Sequence, residues 1–348
     1  MKRILSFGFV GLLFGAVSAL AVESQTVPRG SSNPDDFVKV GGAGSGFLKI
    51  GIGARGAAMG GAHGALVNDL SAIHWNPAGV AQVNGVSAYA STSPYFADFA
   101  QNFAAMSYAI NDQFVIAGHF NTFGATGIPI TTLLDDQGTG ATYDIADMSF
   151  GVTFAGYLTE QFAFGITSKF VRNAFATLGA TNVAFDVGTQ YDTELYGLKI
   201  GFSIHNLGGQ MQYTGSDLAT TDEIIIGDFR APIDAEYLTY PYSMPLTFRA
   251  GVGAEVWRDD VHALSAEADF ITFADTPEQA AFGAEYAYDD LFFLRTGYLL
   301  NHDQLGFSWG VGFNYATGNF DAGLDYSMDM TDNLGLIHRL NVDILLDN

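Results

Sequence analysis

The chain has 348 residues, 37 of them acidic and 14 basic, and its formal charge of −23 leaves no basic surface for a nucleic-acid partner. Only 15% of residues are charged while 48% are hydrophobic and 14% aromatic, which excludes general disorder. Glycine is over-used at 42 residues and cysteine is absent, which removes disulfides, thiolate metal sites and cysteine nucleophiles.

In chain order, Lys2 and Arg3 precede an apolar run over residues 4–17, and Ala19-Leu20-Ala21 supplies the small residues that a signal peptidase reads. Residues 1–21 are therefore expected to be a signal peptide. Residues 22–84 do not alternate in polarity. The first part, to residue 36, holds Pro28, Gly30 and Pro34 and reads as a flexible lead-in. A segment of small residues follows, with a short helical stretch running to Asp69–Ile73, and His74-Trp75-Asn76-Pro77-Ala78-Gly79 closes it. Its glycines and alanines suit backbone wedged tightly inside a narrow barrel.

From about residue 85 the pattern has period two. Phe307, Trp309, Val311, Phe313 and Tyr315 alternate with Ser308, Gly310, Gly312 and Asn314, and Leu340, Val342 and Ile344 alternate with Arg339, Asn341 and Asp343. Fourteen segments of this kind fit strands that cross a bilayer at a tilt. Tight turns separate them at one end, and longer loops, the largest at 122–146 and 207–244, are expected at the other. The charges give a second test. Lys169, Lys199, Arg249, Arg295 and Arg339 fall on the non-aromatic face, as do Asp186, Glu255, Glu267, Asp269, Glu285, Asp321, Asp325 and Asp343. A charge on the lipid face costs about 2–4 kcal/mol at mid-bilayer, so this face is expected to line the lumen. The fold class is all-β: a transmembrane antiparallel barrel of about fourteen strands over residues 85–348, with a small N-terminal plug and outer-membrane lipid around it.

Other motifs carry less. Gly51, Gly53 and Gly56 match a dinucleotide-binding spacing, but that motif needs βαβ units, and the chain offers antiparallel hairpins. His63, Asp69 and His74 lack the spacing of a metal site. Asp135-Asp136, and Asp329 with Asp332, read as solvated loop residues. No nucleophile has a local signature, so neither enzyme activity nor a cofactor is expected.

Within residues 47–81, Lys49-Ile50, Gly53-Ala54-Arg55, Ala58-Met59-Gly60-Gly61-Ala62, Asp69 and the run from Ala72 to Gly79 resemble the opening of the PorV/PorQ family. Through Asn76-Pro77-Ala78-Gly79 they are similar, more distantly, to FadL-type outer-membrane transporters. The resemblance implies a fourteen-stranded barrel with a plug in its lumen, in the outer membrane of a Gram-negative-type bacterium. Arg55, Met59, Gly60, Gly61 and Asp69 would belong to the plug, and Trp75, Asn76, Pro77 and Gly79 to the turn leading into the first strand. It also implies one of two roles. PorV-like members work in type IX protein secretion, with a translocon or exported cargo as partner; FadL-like members carry hydrophobic ligands inward through a displaced hatch and an opening in the wall. Charged and glycine positions in the lumen disfavour a continuous greasy path, since burying alkyl groups is what would drive binding. The 207–244 stretch, with Met211, Tyr213, Tyr237, Tyr240, Tyr242 and Met244, either folds over the mouth with a small core of its own or offers a docking surface.

Overall fold

The computed structural model describes residues 42–226 and 229–346, with no side-chain description for 224–229. The expected signal peptide and lead-in lie outside the described residues.

Fourteen antiparallel strands close into a barrel. They are β1 Val86–Pro94, β2 Ala100–Ala109, β3 Phe114–Pro129, β4 Thr142–Thr159, β5 Phe162–Phe175, β6 Leu178–Asp192 and β7 Leu198–Gly208, then β8 Thr247–Arg258, β9 His262–Phe273, β10 Gln279–Tyr288, β11 Phe292–Leu300, β12 Leu305–Thr317, β13 Phe320–Thr331 and β14 Leu336–Leu346. Each pairs with its sequence neighbours, and β1 closes on β14 in register from Val86↔Leu346 to Thr92↔Leu340. Closure leaves no free edge, as hydrocarbon requires.

The wall is inverted relative to a soluble protein. Phe120, Phe150, Phe154, Ile166, Phe202, Leu294, Tyr298, Phe307 and Leu324 are exposed outward, while Thr153, Thr167, Lys169, Asp186, Arg249, Asp269 and Arg295 are buried inward. Tyr108, Tyr191, Trp257, Tyr288 and Tyr315 are exposed near the end at which β1 begins and β14 ends, where amphipathic rings favour the headgroup level. This is an outer-membrane type of barrel. Among the described residues no helix is long and apolar enough to cross a membrane; the strands do so.

Strand extents correct the loop expected at 122–146. The 122–146 loop is mostly wall: β3 runs to Pro129 and β4 resumes at Thr142, leaving only 130–141 as loop. Similarly β5 and β6 continue to a turn at Ala176-Thr177, where Ala176 adopts φ 51°. Strands β3–β6 thus rise as a tongue on one side of the external rim. Polar runs such as Thr142-Tyr143-Asp144 do not look like membrane strand because they lie above the bilayer, where alternation has no lipid to answer to.

Residues 42–85 fill the lumen. Two short helices, α1 Ala54–Ala58 and α2 Ala72–Trp75, and two 3-10 turns, Gly46–Lys49 and Pro77–Gln82, are linked by tight coil. The single helical stretch expected to continue to Asp69–Ile73 is therefore broken, with Gly60 and Gly61 in the left-handed region at φ 67° and 85°. Small residues let plug backbone touch wall backbone. A Cβ at Gly297 would lie 2.0 Å from the Met59 carbonyl carbon, and one at Gly165 2.2 Å from that of Pro77.

Candidate functional site

The plug is organised around Trp75. Its indole Nε1 donates to the Ile52 carbonyl at 2.8 Å, and its ring faces Gly51 and Gly56, where an added Cβ would lie within 2.6–2.8 Å. These two members of the Gly51-Gly53-Gly56 spacing make room for an indole. Gly53, at φ 80°, abuts the Tyr89 hydroxyl. Asn76 caps the following 3-10 turn by accepting from Ala78 N at 3.2 Å, and its amide donates to Gly64 O at 2.7 Å and Thr189 O at 3.1 Å. Pro77 packs over Gly165 and Gly188 of the wall, and Gly79 fits beneath the Val67 carbonyl. Trp75 itself lies in the body of the plug, with Asn76, Pro77 and Gly79 on the path to β1.

Wall charges tie this plug down. Arg55 forms a two-pronged pair with Glu285, Nε to Oε2 and Nη2 to Oε1 both at 2.9 Å, and reaches Asp69 at 3.5 Å. Arg295 donates to Glu285 at 2.6 Å and also pairs with Asp325, which accepts from Asn341 at 3.0 Å. Asn341 Oδ1 in turn takes the first N–H of α1, from Ala54, at 2.7 Å. Farther round, Arg249 bridges Asp269 at 2.6 Å and the Gly61 carbonyl at 2.5 Å, its guanidinium 5.0 Å from the Trp75 ring centre. Glu267 accepts from Ala65 N and Leu66 N. Lys169 pairs with Asp186 at 2.7 Å, and Arg339 pairs with Asp329. Lys199 and Glu255 border the chamber below the plug, where Glu255 meets Arg258 at 2.8 Å. Pairing of this kind offsets the cost of charges taken out of water.

Asp329 corrects a sequence reading. It is a buried β13 residue, in phase with Asp321 and Asp325, and extending the alternation by two residues would have found it. Lys49–Asp275, at 2.9 Å, joins plug to external rim and had no sequence signal, because Asp275 lies in a turn. His63 is fully buried, and burial first, then Arg55, pushes its pKa down to about 3. At Asp69, burial raises the pKa, but Arg55 and then the Ser71 N–H outweigh it and hold the carboxyl below its ordinary value. His63, Asp69 and His74 do not converge: among the described residues no group of three His, Asp or Glu side chains could hold a metal.

The plug divides the lumen into two spaces. On the side where β1 begins and β14 ends lies an open chamber of about 560 Å³, bordered by Arg55, Asp69, Lys199, Glu255, Arg295 and Asp343. On the external side lies a cavity of about 150 Å³. Gly60, Gly61 and Trp75 form its floor, and its wall mixes Ile271, Phe273, Leu299 and Leu305 with Lys49, Arg249, His302, Asp329 and Arg339. Beside it, Phe47 and Leu48 of the plug pack with Met211 and Met244 of the 209–246 loop, pinned by Gly44 N donating to Ser243 O at 3.0 Å. That loop does build a small core, while its Tyr237, Leu238 and Tyr240 project into solvent beside a hairpin of Ala219–Ile226 and Phe229–Glu236.

No family model matches the sequence, and no curated protein matches it. Solved structures match in fold. The CymD monoaromatic hydrocarbon channel superposes with a TM-score of 0.58 at 10% identity, over 86% of this chain and 98% of its own. The Ralstonia pickettii toluene transporter TbuX gives 0.53 at 12%, over 86% and 99%. A Pseudomonas aeruginosa FadL homologue gives 0.51 at 13%, over 86% and 99%. The resemblance to PorV/PorQ is not matched by any of these, whereas the fold is that of FadL-like outer-membrane barrels.

Proposed function

We propose that this protein passes small hydrophobic compounds through the outer membrane and is a transporter, not an enzyme. The observation that carries the reading is the external cavity, floored by Trp75 and walled by Ile271, Phe273, Leu299 and Leu305. Apolar surface there favours an apolar guest by about 25 cal/mol for each Å² removed from water, and an engineered apolar cavity near 150 Å³ takes up benzene. The similarity in fold to a monoaromatic hydrocarbon channel and a toluene transporter supports the same reading. The plug motif Arg55, Met59, Gly60, Gly61, Asp69, Trp75, Asn76, Pro77 and Gly79 serves as a hatch, held by lumen charges, and passage requires some of those ties to open.

The test is uptake of radiolabelled toluene by Gram-negative cells, behind their lipopolysaccharide leaflet, with and without the expressed chain. Faster uptake with the chain is expected; equal rates would end the proposal. A role in protein secretion, with translocon or cargo as partner, is the second reading. It draws on the sequence resemblance and on the exposed Tyr237, Leu238 and Tyr240 beside the acidic hairpin. Deletion of residues 212–241 should then abolish pull-down of exported proteins while leaving the barrel folded.

A further inference from the structure

We infer that the lipid-facing wall carries a seat for one acyl chain of a periplasmic-leaflet phospholipid, in a groove that crosses β8 to β11. Strand register sets Ala254, Ala266, Ala284 and Thr296 side by side on these four strands. All four are in the outward phase and border one groove of about 320 Å³. Alanine is depleted in strands, and a lipid-facing position accepts large apolar side chains, so three alanines in one row leave a hollow that neither propensity nor the bilayer requires. Bulk returns around it. Leu198 begins the row on β7 and Trp309 continues it on β12; Phe282 and Tyr298 stand in the next row outward, and Tyr286 and Leu294 in the next row toward the short turns. The one hydroxyl among the four, on Thr296, donates to Ser308 O at 3.3 Å, so the row offers no free donor to a polar guest.

The hollow reaches the backbone. Gly253, Gly283 and Gly297 of the inward phase also border it, and a glycine has only backbone to present; Met59 and Gly60 of the plug rest on the lumen side of Gly297. Glu267 borders it too, but its carboxylate accepts from Ala65 N and Leu66 N on the plug side. Depth selects the leaflet. Ala266 and Thr296 lie four residues from His262 and Phe292, where β9 and β11 begin at the short-turn end. At about 3.3 Å per residue and a tilt near 45°, that is roughly 10 Å into an apolar band about 25 Å tall, its periplasmic half. The occupant is continuous with the lipid that covers the rest of the wall. An α-helix, about 10–12 Å across, and the convex wall of a second barrel are both too broad to sink into one or two residue rows; an alkyl chain is not. The hollow over Ala88, Ala90 and Ala104 on β1 and β2 has Tyr89 and His119 behind it instead of glycine, and serves as the control.

The test is native mass spectrometry of the full chain extracted from outer membranes in a mild detergent, against Ala266→Leu/Ala284→Leu, which fills the hollow. Outward leucine suits the lipid face, and folding is checked by heat-dependent gel migration. One phospholipid per barrel should stay with the unaltered chain and be lost from that variant, while Ala90→Leu/Ala104→Leu, which fills the other hollow, should keep it. In intact membranes, a phospholipid with a mid-chain diazirine should crosslink to residues 262–300 more than to the rest of the wall. No retained lipid, equal retention by the filled variant, loss from the control variant, or lipid A retained in place of phospholipid would overturn the inference. So would a dimer that filling the hollow abolishes, or crosslinks spread evenly around the barrel.

Discussion

The two spaces separated by the plug differ in size and in the polar share of their linings. The external cavity is small, with an indole floor and Ile271, Phe273, Leu299 and Leu305 in its wall; its cations are matched one for one by carboxylates. The chamber on the other side is nearly four times larger by volume, about 560 against 150 Å³, and is bordered by Arg55, Asp69, Lys199, Glu255, Arg295, Asp325 and Asp343. Apolar surface makes up the larger share of the first lining and polar surface the larger share of the second, so an apolar solute is better matched by the first. A lumen built this way is not one continuous greasy path, and control lies in the layer between: Trp75, the α1 segment and their ties to the wall.

Removing that layer's keystone should have the largest effect. Trp75→Ala deletes a buried aromatic that spaces Gly51, Gly56 and Arg249, at a cost of about 3–5 kcal/mol to plug docking. The expected readout is protease cleavage within residues 50–80 and a raised ion conductance in planar bilayers; unchanged conductance would show that the two spaces are sealed by something else. Next comes Arg55→Ala. Glu285 keeps Arg295, so the loss should be about 1–3 kcal/mol, read as faster exchange of plug amides with the barrel's own amides unaffected. Leu299→Asn makes the small cavity resemble the large one in polarity and should weaken toluene binding by roughly tenfold.

Acidification should act most gently. His63 has an ordinary pKa of 6.5 that burial, and then Arg55, depress to about 3 in the folded protein. The neutral ring is favoured in the docked plug, so its contribution is complete above pH 6.5 and is lost as pH falls from there toward 3. Asp69, also held below its ordinary value, works in the same direction at lower pH. Plug exchange rates should therefore rise on acidification below 6.5, and His63→Gln should flatten the upper part of that rise. A profile that is flat in the unaltered chain would remove His63 from any part in plug retention.

Strand number, strand phase and the inward placement of Lys169, Arg249, Glu267, Arg295 and Arg339 were legible in the sequence for one physical reason. Hydrocarbon excludes charge from one face, and a period of two carries that exclusion along every strand. Where lipid stops, so does the signal: the β3–β6 tongue above the bilayer read as loop, and Asp329, near the external end of β13, read as a solvated residue. The glycines in the lumen were legible as room for something, but not for what. Only the folded chain brings Met59 against Gly297, Pro77 against Gly165 and the Trp75 ring between Gly51 and Gly56, because such contacts join residues up to 238 positions apart with no shared period. The same holds for the cavity. Lys49 of the plug, Thr276 of a rim turn, and Arg249, Leu299, Asp329 and Arg339 of four strands border it, and barrel closure alone sets them around one space.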